Sequence, residues 1–470
     1  MRGWRKAAVV AVAMLVAACG ARVSDQQVAS LGNSGAATAP SGSGASGTDS
    51  SGAIGPGSGD TGGAAGGQVA TGDAGGSGGA ATGAPAQGDN GGATDVGVTA
   101  TEVRIGNVST LSGPVPGLFQ GAVVGTLAFA AYQNSLGGIH GRKLKVDARD
   151  DGLDTGQNRA QTADLAANVF ALAGSVSVND SGGAPEEAKA GIPDVGVGLS
   201  EERRELPTFF SPVPTPGRGY RTGQFLWYSK KFPDAVKAVG TMYGDVAASK
   251  TSHQDMRHAA ESVGWKFAYE RGFQATETDF TADVVRMRQS GVKMVYLVSS
   301  DEKGIGRFAK AMAQQNWKPE VFATGPSGYD QDLFTLAGPA AVEGMYVDQQ
   351  AAMYAGEDGG IVPEVKLMNQ RVQKVKPGYI TDLYVAWAWS SMRLLTQAIE
   401  AVGPNLTREA VIKHLRTVDD FDSNGLVSPG GPGNRRPALC YIVLQVKGGK
   451  YSRFEPQKGY LCDGAWVPNE

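Results

Sequence analysis

Cysteine, histidine and positive charge are all scarce in this 470-residue chain. It has three Cys and four His, and 43 Lys and Arg stand against 46 Asp and Glu, a formal charge of −3. Without a basic excess there is no electrostatic footprint for nucleic acid, and no nucleic-acid partner is expected. Metal chemistry is short of ligands. Cys440 and Cys462 have no histidine near them in sequence, and two thiols alone do not make a structural zinc site. Nucleophilic catalysis is short of bases, because none of His140, His253, His258 and His414 adjoins a Gly-x-Ser-x-Gly elbow. These shortages argue against an exported serine hydrolase and predict neither a catalytic residue nor a cofactor. After residue 19 no run of about 18 uncharged apolar residues follows, so the chain does not read as a membrane channel. The 68 glycines keep no three-residue period, which excludes a collagen-like rod.

What is abundant is local. Between Gly20 and Val98 lie 24 of the glycines, no aromatic residue and one basic residue, Arg22. Such a segment buries too little apolar surface to offset its ordering entropy. Residues 20–98 therefore read as a Gly/Ala/Ser-rich tether, with a random-coil span on the order of 45 Å. Ahead of it, Arg2, Arg5 and Lys6 precede an apolar core, Ala7 to Ala18, that ends in Val16-Ala17-Ala18-Cys19-Gly20. Residues 1–19 read as a secretory signal ending in a bacterial lipobox, which makes Cys19 the lipidation site and places the body on the outer face of the cytoplasmic membrane. In an exported chain the remaining even pair, Cys440 and Cys462, suggests a disulfide near a final hairpin.

From Thr99 short apolar runs alternate with helical periodicity, the mark of an α/β fold with parallel strands. Strands are expected at 103–108, 144–148, 169–176 and 192–197, with helices between them. After Ser211-Pro212-Val213-Pro214-Thr215-Pro216 the alternation restarts, with strands at 235–242, 265–269, 293–298, 321–324 and 342–349. Helices over 363–376, 381–402 and 407–417 follow, then strands at 439–446 and 450–454. Ligands of open α/β sheets bind beyond the carboxyl ends of the strands. Those ends are hydroxylic here: Ser109, Thr110 and Ser112, then Ser175 and Ser177, Ser200, Ser299 and Ser300, and Ser327. Phe119, Tyr243 and Tyr329 stand beside them as aromatic candidates. Tyr384, Trp387 and Trp389 read as helix core, and the run Glu201-Glu202-Arg203-Arg204-Glu205 reads as a solvated face.

Several segments in order resemble one family. They are Leu111-Ser112-Gly113-Pro114, Gly137-Gly138-Ile139-His140-Gly141-Arg142-Lys143-Leu144, Arg149-Asp150-Asp151-Gly152-Leu153-Asp154, Lys189-Ala190-Gly191-Ile192-Pro193, Asp279-Phe280, Phe322-Ala323-Thr324-Gly325-Pro326 and Ala341-Val342-Glu343-Gly344-Met345. Residues 99–470 are similar to the type 1 solute-binding proteins of branched-chain amino acid ABC transporters, the Leu/Ile/Val-binding group. The resemblance implies two Rossmann-like doubly wound lobes joined by a three-strand hinge, lobe 1 at 99–213 and 349–420 and lobe 2 at 214–348 and 421–470. It implies a monomer that captures a small polar solute, an amino acid or related amide or carboxylate, and delivers it to a permease and ATPase. A ligand-sensing lipoprotein without transport is the alternative. In lobe 1 it points to Ser177 and Ser200, supported by Ser112, as ligand hydroxyls. In lobe 2 the chain departs from the family's amino-acid binders: Ala248 or Ser249 and Ser300 stand near tyrosine positions, and Ser327 stands where a carboxylate is expected. Losing that carboxylate removes the partner of an ammonium and argues against a branched-chain amino acid. The lobe 1 disulfide of the family is also absent, with Gly152 and Leu153 in the stretch where its first cysteine would lie.

Overall fold

A computed structural model describes residues 90–469; the signal, Cys19 and the expected tether up to residue 89 lie outside the described residues. Residues 90–98, which composition groups with the tether, belong to the folded body. Val98 is buried and bridges to Val103, and the Arg142 guanidinium donates to the carbonyls of Asn90, Gly92, Thr99 and Pro404.

The first sheet contains β1 (Glu102–Ser109), β2 (Lys143–Asp150), β3 (Ala171–Ala173), β4 (Asp194–Val195) and β5 (Phe209–Phe210), all parallel, in the order β2-β1-β3-β4-β5. β1 is an interior strand and almost wholly buried, as a parallel strand covered on both faces must be. The strand expected over 169–176 shrinks to three residues, because the chain beyond Ala173 leaves the ladder to form a loop. The Gln120–Ser135 and Leu383–Val402 helices pack on each other beside this sheet, brought close by glycines. A Cβ on Gly125 would stand 2.6 Å from the Val385 carbonyl oxygen.

After the proline-rich crossing come β6 (Gly219–Arg221), β7 (Val239–Gly244), β8 (Phe267–Phe273), β9 (Met294–Leu297), β10 (Val321–Thr324), β11 (Tyr346–Gln349), β12 (Ile442–Lys447), β13 (Lys450–Glu455) and β14 (Trp466–Pro468). The second sheet runs β13-β12-β11-β10-β9-β7-β8, with parallel pairings except for the antiparallel pairs β11–β12 and β12–β13. The strand expected from Ala235 begins at Val239, behind a 3-10 turn at Ala235–Lys237. A helix at Gly223–Lys231, not expected from the sequence, buries Phe225 and Tyr228 against Trp265 and Tyr296, with ring centroids 5.1 to 6.1 Å apart. The Thr281–Gln289 helix follows β8. Phe280 occupies the cap position with its ring buried, while the Asp279 carboxylate accepts from the Thr281 amide at 2.8 Å.

The chain crosses between the sheets after β5, after β11 and before β12, and the crossings bind one another. Ala438 N donates to Pro214 O at 3.2 Å, Ser428 N to Gln350 O at 2.6 Å, and the Gln350 amide to Ala438 O. β6 and β14 form a separate antiparallel pair beside these crossings. Cys440 and Cys462 are joined, 22 residues apart, closing the ends of the β12–β13 hairpin. A loop of that size is worth about 3 kcal/mol in the chain-entropy account.

Candidate functional site

Both sheets direct the carboxyl ends of their parallel strands into one cleft with a cavity of about 340 Å³. Lobe 1 supplies Leu118, Phe119, Val178 and Leu199 from strand-end loops, and Leu383, Tyr384 and Trp387 from the first turns of a helix. That helix is started by Asp382, whose carboxylate accepts from Val385 N at 2.9 Å. Phe119 and Tyr384 meet edge to face at 4.7 Å and Tyr384 meets Trp387 at 5.8 Å, so one wall is aromatic. Lobe 2 contributes Val246, Ala248 and Ser249 after β7, Val298 to Asp301 after β9, and Pro326 and Ser327 after β10. The floor is built by Tyr220, Arg221, Gln350 and Trp466.

Of the expected ligand residues, Phe119, Ser300 and Ser327 line this cleft. The Ser300 hydroxyl already donates to Met242 O at 3.0 Å. The others are not among its lining residues. Ser177 is buried, and its hydroxyl accepts from Thr110 at 3.3 Å and from the Asn179 amide at 2.9 Å. Ser200 caps the short Glu201–Arg204 helix through Arg203 N. Ser112 packs on Asp150: burial acts to raise that carboxyl, but bonds from the Ser112 hydroxyl and the amides of Gly152, Leu111 and Ser112 outweigh it and hold it below its ordinary range. Tyr243 stacks on His253 at 4.3 Å, and that imidazole meets Glu270 at 2.9 Å. Tyr329 is buried against Tyr451, its hydroxyl on Glu357. The hydroxylic strand ends therefore stitch loops together, as with Val108 N to Ser175 Oγ at 3.0 Å and Val176 N to Ser109 Oγ at 3.1 Å.

The charge run after Ser200 differs from a solvated face. Arg203 is 1% exposed and holds Asp194 through two bonds of 2.7 and 3.0 Å, while its third nitrogen donates to Ser175 O. Asp180, 3.5 Å from the same guanidinium, accepts from the amides of Leu199 and Ser200 at 2.7 and 2.9 Å. Burial, and then the nearby Asp194, push the Glu187 carboxyl well above its usual range. This buried cluster fixes the two lobe 1 loops that carry Val178 and Leu199 into the cleft.

Sequence reasoning placed Tyr384 and Trp387 in the core and gave no role to Arg221, Tyr220 or Trp466. A signal existed for the first pair. The 383–402 helix is apolar nearly all round, so after Val385, Ala386 and Trp389 are buried a surplus apolar face remains. No comparable signal marks β6 or β14, three-residue strands whose pairing depends on distant parts of the chain.

Among the described residues no group of three or more His, Cys, Asp or Glu is arranged to hold a metal ion, and no helix is long and apolar enough to cross a membrane. A family model described as periplasmic binding protein matches residues 102–450. Leu/Ile/Val-binding protein homolog 1 of Brucella suis biovar 1 is 27% identical over 322 residues, covering 65% of this chain and 80% of its own. Among solved structures, the fatty acid ABC transporter substrate-binding protein from Thermomonospora curvata aligns with a TM-score of 0.66 at 19% identity, over 79% of this chain and 95% of its own. A branched chain amino acid ABC transporter from Thermus thermophilus with bound valine gives 0.66 at 15% identity, over 77% and 97%. These relatives are binding proteins of transporters rather than enzymes, and the two-lobed α/β architecture is theirs. With three-quarters of its length matched by the family model and a cleft between two parallel sheets, the chain belongs to the periplasmic binding protein family.

Proposed function

We propose that this chain is the extracytoplasmic, lipid-anchored substrate-binding protein of an ABC importer, capturing a small solute between its lobes and handing it to a permease driven by an ATPase. The observation that carries this reading is the cleft itself, walled by strand-end loops from both sheets and floored by hinge residues, so that closing the lobes encloses whatever lies between them. The lipobox-like end of the N-terminal apolar run at Cys19 supports the anchor. The names of the relatives span Leu/Ile/Val, valine and fatty acid, so kinship leaves the ligand open. We keep Phe119, Ser300 and Ser327 as ligand contacts and add Tyr384, Trp387 and Arg221 to them. A thermal-shift screen of amino acids, amides, aromatic acids and short polyols tests the capture step. A ligand at 100 times its Kd is expected to add about 2.7 kcal/mol of stability, and a protein whose melting point no solute moves would defeat the reading.

A further inference from the structure

Residues 461–469 run as a strap that reaches the cleft floor from the end of the chain. Leu461 and Tyr441 exchange two backbone bonds of 2.9 Å, and the Tyr441 hydroxyl donates to Asp463 at 3.0 Å. Thr222 N donates to Ala465 O at 2.9 Å, and Ala465 N donates back to the Thr222 hydroxyl at 3.0 Å. The β6–β14 ribbon follows, with Trp466 opposite Arg221 and Val467 opposite Tyr220. Strand side chains alternate: Val467 packs against the core that holds Phe225 and Trp265, while Trp466 lines the cavity. A Cβ on Gly219 would stand 2.8 Å from the Trp466 indole nitrogen, so the missing side chain makes room for that ring. At the end of the strap Asn469 N donates to Arg218 O at 3.2 Å and its side-chain amide to Asp255 at 2.8 Å; Asp255 also borders the cavity.

Chain ends stay ordered only where they are tied down. The strap belongs to neither large sheet, and a two-stranded ribbon of triplets is marginal by itself. Its root is tied by the bond from Cys462 to Cys440. Cys440 is part of the hinge: its amide donates to the Ser428 hydroxyl at 3.1 Å, and nearby Ala438 donates to Pro214 O at 3.2 Å. The covalent tie therefore joins the strap to the crossings between the sheets. The two sulfurs differ in access. Cys440 is 7% exposed and Cys462 faces solvent, so a thiolate outside the protein meets the Cys462 sulfur first.

We propose that the Cys440–Cys462 bond is a redox-sensitive latch on the cleft floor: an external dithiol attacking at Cys462 frees the strap, and Trp466 and Asn469 then leave their places while both sheets keep their ladders. In the first step a thiolate of the dithiol forms a mixed disulfide with Cys462, and Cys440 leaves as a thiolate. The second sulfur of the dithiol then closes the dithiol's own disulfide and expels Cys462. Two electrons and two protons pass from the dithiol to the cysteine pair, and oxidation of the pair resets the latch.

The test is fluorine NMR of the purified full chain with 5-fluorotryptophan in place of its tryptophans, the Trp466 resonance being assigned by Trp466→Phe. On addition of dithiothreitol that resonance should move to the position of free 5-fluorotryptophan. The resonances of Trp265 and Trp389, which are buried in the cores beside the two sheets, should stay in place. Re-oxidation should restore the first spectrum. Cys440→Ala combined with Cys462→Ala should show the displaced Trp466 signal without reductant and no response to dithiothreitol. Reduction acts on the folded native chain, so its result stands whether or not the double variant folds. A Trp466 resonance that stays put in the reduced chain would overturn the proposal. Trp265 and Trp389 resonances that move with it would also overturn it, because the bond would then be a staple of the whole fold. So would a bond that dithiothreitol leaves intact in the folded chain, read by alkylation and mass.

Discussion

Arg203 shows how much one side chain can carry. Its guanidinium is enclosed with Asp194, Asp180 and Glu187, and the pair it forms with Asp194 lies entirely out of water. Removing one member of such a pair leaves a buried charge without compensation, at about 3–5 kcal/mol. Arg203→Ala is therefore expected to lower the urea midpoint by that equivalent and to loosen the loops at Val178 and Leu199. Nothing in Glu-Glu-Arg-Arg-Glu announces this, because Asp194 and Asp180 are brought to it by β4 and by the loop after β3. Glu302, at the start of the Glu302–Gln314 helix, is a second case. Burial first, then Asp301 and Asp330, push its carboxyl up to about 8, with Lys303 and the helix start opposing. The folded chain then holds a proton that the unfolded chain has released above about 4.5, so this group's stabilisation is lost as pH rises from that value to about 8. Melting temperatures should fall between pH 5 and pH 8, and Glu302→Gln should reduce that fall; an unchanged difference would remove Glu302 as its source.

Among the elements, the pairing of the Gln120–Ser135 and Leu383–Val402 helices matters most for the cleft, because it places Tyr384 and Trp387 in the wall. Gly121 faces the Asp382 carboxylate in close contact, and Gly125 faces the Val385 carbonyl, so side chains at either position would push the helices apart. Gly125→Val should destabilise the chain by about 1–3 kcal/mol through overpacking, read as a lower denaturation midpoint. The alternation of strands and helices and the final hairpin with its cysteine pair were legible in the sequence, because period and turn chemistry are local. The 223–231 helix and the β6–β14 pair were not. The first is a nine-residue element directly behind a proline-rich passage, and the second is two triplets with no pattern of their own. The strand-end serines were legible as a set but not as to role, since a hydroxyl that binds a ligand and one that ties two loops together look alike in one dimension.

At the scale of the whole molecule, the folded body from residue 90 is preceded by the segment proposed above to end its apolar run in a lipid-modified cysteine. Cys19→Ala should release the protein from the membrane fraction into the soluble fraction without altering the melting temperature of the body; a variant still sedimenting with membranes would overturn the lipid anchor. The two sheets are discontinuous in sequence, since the 363–375 and 383–402 helices return to pack beside the first sheet and β12 and β13 then go back to the second.

The β6–β14 ribbon has a consequence for how the cleft keeps its floor. Thr222 and Ala465, which bond to each other beside that ribbon, are 243 residues apart, and Trp466 from β14 lines the cleft floor. Both sheets keep their own ladders without this ribbon, so parting β14 from β6 would take Trp466 out of the floor and leave those ladders in place. The floor is thus the part of the cleft that leans least on the two large sheets.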